Sequence, residues 1–353
     1  MRHLIAGLLS CVLGLTSHSA ATELQLEPVV SGLEHPWAMA FLPDGRMLVS
    51  ERPGRLRLIV DGKLLAEPVA GLPPVYYAGQ GGLLDILVDP DFAQNQRVYL
   101  SYAHGDAQNN ATRVSHARLV DGSLLELEPI YTAQPGKNTA VHYGGRLLRL
   151  ADGALLVTVG DGFDLREAAQ DPRSDLGKIM RIPVEGGAAS VYSLGHRNGQ
   201  GLLLDFRDGS VLAHEHGPRG GDELNRITPG ANYGWPLTSH GLDYSGAKVS
   251  PYTELPGMSA PLLHWTPSIA PAAMAQFDGP LFGEWRGDLI VAALAARGLR
   301  RVRLDGERVI EQQSLLVEER LRWRDVRLGP DGALWLLSDG AAAGLYRATP
   351  ASR

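Results

Sequence analysis

Apolar residues in this chain come in short runs divided by Asp-Gly, Pro-Asp or Gly-Gly turn signals, and long amphipathic helical stretches are absent. Such a pattern predicts β-strands joined by tight turns. One unit recurs: an apolar strand, a turn built on Asp-Gly, a second apolar strand, a polar loop and a third strand. It runs from Trp37 to Ser50 with Gly54 to Ile59 as its third strand, and again from Gly145 to Thr158 with Gly177 to Ile182. Further copies run from Gly201 to Ala213 with Glu223 to Ile227, and from Arg324 to Leu337 with Gly344 to Arg347. Two looser copies start near Leu83 and Met274, where the turns are Asp89 to Asp91 and a longer loop from Asp278 to Asp288.

A small antiparallel sheet cannot bury both faces alone, and packing such sheets radially solves the problem. About six units therefore predict an all-β, six-bladed β-propeller, expected as a single domain over residues 22–353. A two-sheet sandwich is the runner-up, although sandwiches do not usually repeat one hairpin this faithfully.

The first residues follow a different pattern. Met-Arg-His is followed by an apolar run from Leu4 to Leu15 and small residues from Ser17 to Ala21, which predicts a signal peptide over residues 1–21. Cleavage is expected after Ala21, with Ala20 as the alternative. The run is shorter than the ~20 residues of a membrane helix, so no membrane span is expected and a periplasmic or secreted protein is. Leu8 to Cys11 faintly resembles a lipoprotein processing site, but it leaves an unusually short apolar core before the cysteine. Cys11 is the only cysteine, so the remainder of the chain has no disulfide, thiol nucleophile or thiolate metal site. The net charge is −6 with no block of lysines and arginines, which argues against nucleic acid as a partner.

In a propeller, ligands gather at one end of the central channel, where loops of many blades converge. His142, between Val141 and Gly144-Gly145, has the chemistry to abstract a proton from a hydroxyl. Asp161 ends the neighbouring strand of the same unit and is placed to hold the imidazole tautomer. Read alone, the pair is more readily a structural histidine and a turn aspartate. Arg197-Asn198 sets a fixed cation beside an amide donor, suited to an oxyanion or quinone oxygen. His214 and His216 share a strand face, which makes a transition-metal site conceivable, but no third soft ligand is near. Backbone carbonyls around Gly217-Pro218 with carboxylates at Asp222 and Glu223 suit a hard cation such as calcium.

Together, His35 to Gly45, Gly79 to Asp85, His142 to Arg146, Gly195 to Asn198, Glu215 to Pro218, Asn232 to Pro236 and Arg322 to Val326 resemble the soluble PQQ-dependent sugar dehydrogenases, specifically the bacterial aldose sugar dehydrogenase branch. The resemblance runs from the first unit to the last. It implies His142 as general base for the anomeric hydroxyl, with hydride passing to the quinone, and Asp161 as its support. It implies Arg197 and Asn198 at the reactive quinone oxygen, Gln80 as a further polar contact, and Arg322 and Arg324 as a clamp on the cofactor's carboxylates. It also implies one Ca2+ on the carbonyls of Gly217 and Pro218, and a second, structural one on Glu223 and the carbonyl of Tyr233. One departure stands out: Ala295 follows Leu294 where the family often has lysine, and Arg297 lies two positions on. The expected partners are an aldose sugar and an external electron acceptor. Short loops predict a shallow groove, broad aldose specificity and a monomer. A calcium-dependent lactonase or esterase, or a non-enzymatic carbohydrate- or protein-binding propeller, are the competing readings.

Overall fold

The computed structural model describes residues 23–351. They form six four-stranded antiparallel sheets. Blade 1 comprises Pro36–Phe41, Met47–Glu51, Arg55–Val60 and Lys63–Leu64; blade 2, Leu83–Val88, Arg97–Gly105, Asn110–Val120 and Ser123–Thr132. Blade 3 comprises Leu147–Arg149, Ala154–Val159, Lys178–Pro183 and Ser190–Leu194; blade 4, Gly199–Leu204, Val211–Glu215, Asp222–Ile227 and Leu263–Trp265. Blade 5 comprises Pro271–Gln276, Leu289–Ala293, Gly298–Asp305 and Arg308–Leu315. Blade 6 takes Trp323–Leu328, Leu334–Ser338 and Ala343–Pro350, and its outermost strand is Leu24–Leu33 from the other end of the chain. The innermost strands of successive blades touch all the way round, so the ring is closed. Each recurring sequence unit corresponds to one blade. What the repeat did not contain is the fourth strand, which is amphipathic and partly exposed, as Ser123–Thr132 and Arg308–Leu315 show.

Among the second strands, by contrast, Met47–Glu51, Ala154–Val159, Val211–Glu215 and Leu289–Ala293 are buried throughout. Their near-continuous apolar runs reflect sheets covered on both faces. The core is accordingly six apolar clusters, each lying between two neighbouring blades. The recurrent Asp-Gly turns share one device. Asp44, Asp152, Asp208 and Asp331 each accept a hydrogen bond at Oδ1 from the N–H two residues on, at 2.9 to 3.2 Å, around a glycine of positive φ.

Near the channel, the blades are stitched by side chains. Ser50 Oγ accepts from Ala38 N in its own blade and donates to Leu84 O in the next, 2.5 Å away. Ser101 repeats this between Asp85 N and Gly145 O, and Thr158 between Arg146 N and Gly199 O. In blade 4 the equivalent position holds His214, whose burial keeps it neutral, with a pKa down at about 3. That environment fits a packed core histidine, and among the described residues no group of three or more His, Cys, Asp or Glu is placed to hold a metal. Below the mouth, Arg146 is buried with Asp85 at 3.2 Å and Asp325 at 3.5 Å, and Arg327 pairs with both carboxylates. The paired charges close the channel and form a floor.

Candidate active site

His142 and Asp161 meet in blade 3. Gly160 allows this, because a Cβ there would lie 2.2 Å from the His142 carbonyl oxygen. The His142 Nδ1 lies 2.7 Å from Asp161 Oδ1, and both side chains are buried. Asp161 is itself fixed: Trp235 Nε1 donates to its Oδ2 and Phe163 N to its Oδ1, each at 2.8 Å. A carboxylate held this way accepts a hydrogen bond from Nδ1–H and so leaves the imidazole Nε2 as the acceptor. The His142 pKa lies below its ordinary value, chiefly from burial, with the Asp161 hydrogen bond opposing it and the nearby Arg197 and Lys137 charges adding to it. The ring is therefore neutral at neutral pH, the form a base requires. Phe163 covers it edge-on, centroids 5.1 Å apart, and stacks in turn on the exposed Tyr244.

The segment ahead of His142 hangs on buried Lys137. Its Nζ donates to the carbonyls of Thr139 at 2.6 Å and Val141 at 2.9 Å, and lies 3.5 Å from the centre of the Tyr143 ring. Burial brings this ammonium down to about 7. The His142 backbone has φ 53, and its N–H donates to Gln80 Oε1 at 2.8 Å. Gln80 thus braces the His142 backbone and also lines a cavity.

That cavity, about 370 Å³, opens at the channel mouth and is lined by Trp37, Arg52, Tyr143, Asn198, Arg322 and Arg324, among others. Arg322 Nε donates to Asp339 Oδ2 at 2.9 Å and Arg324 Nη2 to Asp339 Oδ1 at 3.0 Å, so the clamp pair shares one carboxylate. Asn198 Oδ1 accepts from Gly144 N at 3.1 Å, which leaves its NH2 as the group it has to offer a ligand. Arg297 is exposed and outside this lining, as is Ala295; of that turn only Leu294 takes part.

Arg197 lies on the other side of Asn198. Its guanidinium donates to the carbonyls of His216 at 3.0 Å and Gly217 at 2.7 Å, and packs over Trp235. It lines a second cavity, about 250 Å³, with Phe163, Trp235 and Tyr244. The two members of the Arg197-Asn198 pair therefore serve neighbouring cavities.

All four residues implied as calcium ligands, Gly217, Pro218, Glu223 and Tyr233, line one recess together with Glu215. Its free space, about 10 Å³, has room for a single water-sized particle. Burial and the neighbouring Glu215 carboxylate push the Glu223 carboxyl up, so a second negative charge here is unfavourable without a cation beside it. An all-oxygen donor set around crowded carboxylates fits a hard divalent cation. The Gly217 carbonyl, however, already receives Arg197, so a cation there competes with that hydrogen bond. Asp222 takes no part: Gly217 N, Ser268 Oγ, Ile269 N and Ala270 N saturate its oxygens at 2.7 to 2.9 Å. It is the post on which the loop is built.

Sequence reasoning missed Arg52, Asp339, Lys137 and Trp235 as working parts. Trp235 stood inside a motif without a role, and Lys137 had no signal except the rarity of buried lysine.

Comparison with known proteins agrees with this geometry. Residues 33–347 match the family model described as Glucose / Sorbosone dehydrogenase. The chain is 36% identical to the aldose sugar dehydrogenase YliI of Escherichia coli K12, over 94% of each chain. It superposes on a crystal structure of a glucose dehydrogenase with a TM-score of 0.89 at 41% identity, covering 93% of this chain and 100% of that one. The PQQ-bound aldose sugar dehydrogenase of Streptomyces coelicolor gives a TM-score of 0.75 at 28% identity, covering 93% and 99%. This six-bladed chain is an aldose dehydrogenase and belongs to the glucose/sorbosone dehydrogenase family.

Proposed function

We propose that the chain oxidises aldose sugars at the anomeric carbon to lactones, with PQQ as hydride acceptor, Ca2+ as its companion and an external acceptor taking the electrons. The observation that carries this reading is the cluster of guanidiniums around a single carboxylate at the channel mouth, adjoining a neutral histidine backed by aspartate. PQQ is a planar quinone with three carboxylates, and arginine forks match carboxylates bidentately. A hydrolase would leave these cations without a role.

His142 Nε2 takes the proton of the anomeric hydroxyl, and Asp161 holds Nδ1–H and stabilises the imidazolium that forms. Arg322, Arg324, Asn198 and Gln80 would hold and orient the cofactor, and Arg197, with Asn198, would stabilise the negative charge that builds on its quinone oxygen. The carbonyls of Gly217, Pro218 and Tyr233 and the Glu223 carboxylate would hold calcium. When bound, these groups supply a two-electron acceptor and its polarisation by a Lewis acid. The second cavity, with Phe163 and Tyr244 exposed beside Arg197, is open enough to suit aldoses of several sizes.

We also infer export. The signal-peptide segment 1–21 lies outside the described residues, and among those described no helix is long and apolar enough to cross a membrane. A monomer remains the expected state. The test is dye-linked sugar oxidation by purified protein with and without PQQ plus calcium. Turnover that needs both supports the reading; silence across an aldose panel, with no spectral change on adding PQQ, overturns it.

A further inference from the structure

The large cavity contains a cation that the clamp does not account for. Arg322 and Arg324 both engage Asp339, whereas Arg52, which follows the second strand of blade 1, is in no ion pair among the described residues. Its backbone is pinned on both sides: Arg52 N donates to His35 O, and Leu83 N donates to Arg52 O, each at 3.0 Å. The glycine-rich loop presses on that peptide, since a Cβ at Gly82 would lie 2.1 Å from Arg52 O. The side chain is half-buried, with Nη1 donating to Gly79 O at 2.9 Å and the guanidinium 5.5 Å from the Tyr77 ring centre. One carbonyl and one ring face use little of a five-donor fork.

Three guanidiniums thus line the cavity against the one carboxylate of Asp339. Burial holds Arg324 below its ordinary value, and Arg52 and Arg322 push it the same way, so the three charges feel one another. Blade 5 adds no cation, because Ala295 is neutral and Arg297 lies outside the lining. A cavity with unbalanced positive charge on two adjoining walls is built for a ligand with more than one carboxylate.

We propose that Arg52 is a third anchor for the cofactor's carboxylates, extending the clamp from blade 6 onto blade 1. The proposal rests on the PQQ reading above. Arg52 would offer its unused donors to a cofactor carboxylate alongside Arg322 and Arg324, which already share Asp339.

The test is direct PQQ binding to the full protein in calcium buffer, read by calorimetry or tryptophan quenching at low and high salt, without turnover. Arg52→Gln removes the charge but keeps an amide for the Gly79 carbonyl, and Arg52→Lys keeps the charge. Arg52→Gln is expected to weaken PQQ about ten- to a hundredfold at low salt, with the loss shrinking at high salt and Arg52→Lys recovering part of it. Affinity within about twofold of wild type for Arg52→Gln overturns the proposal. So does an equal, salt-independent loss in both variants, which marks Arg52 as a brace for the Gly79 loop. Wild-type protein that binds no PQQ sinks the cofactor reading itself, whereas wild-type binding with an unaffected Arg52→Gln sinks only the anchor.

Discussion

The two sides of the channel mouth are opposites. The large cavity collects Arg52, Arg322 and Arg324 around Asp339 alone, while the recess in blade 4 crowds Glu215 and Glu223 among backbone carbonyls. Neither is stable as a bare charge cluster, since like charges in a confined space repel and lose hydration. Their arrangement teaches that each side is completed by a partner of opposite sign: a polyanion for one, a small cation for the other. His216 lines both, and Arg197 reaches from the recess toward His142. His142 lies close enough to Arg197 and Lys137 to feel their charge, and it is neutral because burial outweighs its carboxylate partner.

The sharpest break of this picture is to remove the group between the two sides. His142→Ala is expected to lower kcat by about 10²- to 10⁴-fold while PQQ and calcium still bind, checked by steady-state kinetics beside binding titrations. Turnover retained would take His142 out of the reaction. Next, Arg324→Gln should weaken PQQ by about tenfold or more and leave half-saturation by calcium unchanged, whereas Glu223→Gln should do the reverse. If each variant moved both titrations equally, the division of labour would fail.

Smaller shifts are expected in pH dependence. The base works deprotonated and its pKa is depressed, so kcat/KM should be level through neutrality and fall only below the ordinary histidine value of about 6.5. Asp161 favours the imidazolium, so Asp161→Asn should move that acid limb to still lower pH. Lys137 is protonated below about 7 and opposes the imidazolium, so Lys137→Met should move the limb up. The smallest effect is on stability: Thr158→Val leaves the Gly199 carbonyl without its donor and Arg146 N without its acceptor, and should cost about 1–3 kcal/mol in denaturant unfolding.

The blades were legible because apolar strand pairs recur, and in four of the six the pair is joined by an Asp-Gly turn that closes with the same aspartate-to-amide hydrogen bond. His142 and Asp161 were legible because one unit carries both. Arg52 was not, because an arginine in the turn Glu51-Arg52-Pro53-Gly54 looks like solvated surface until the Gly79–Gly82 loop folds against it. Asp222 and Glu223 illustrate the converse. They are adjacent and chemically alike, yet one is consumed by backbone N–H groups and the other faces the recess, a difference made by the Ser268–Ala270 turn of a distant segment.

The strand Leu24–Leu33 pairs Leu24 with Pro350 across nearly the whole sequence. A chain emerging from its N-terminus makes this strand first and can use it last, so every shorter intermediate is an open crescent with two bare sheet edges. Assembly of the mouth, where blades 1 and 6 together line the arginine cavity, therefore waits on that last pairing. Deleting Leu24–Leu33 should do more than trim a surface strand: it unlatches the ring at the seam where Arg52 of blade 1 meets Arg322 and Arg324 of blade 6.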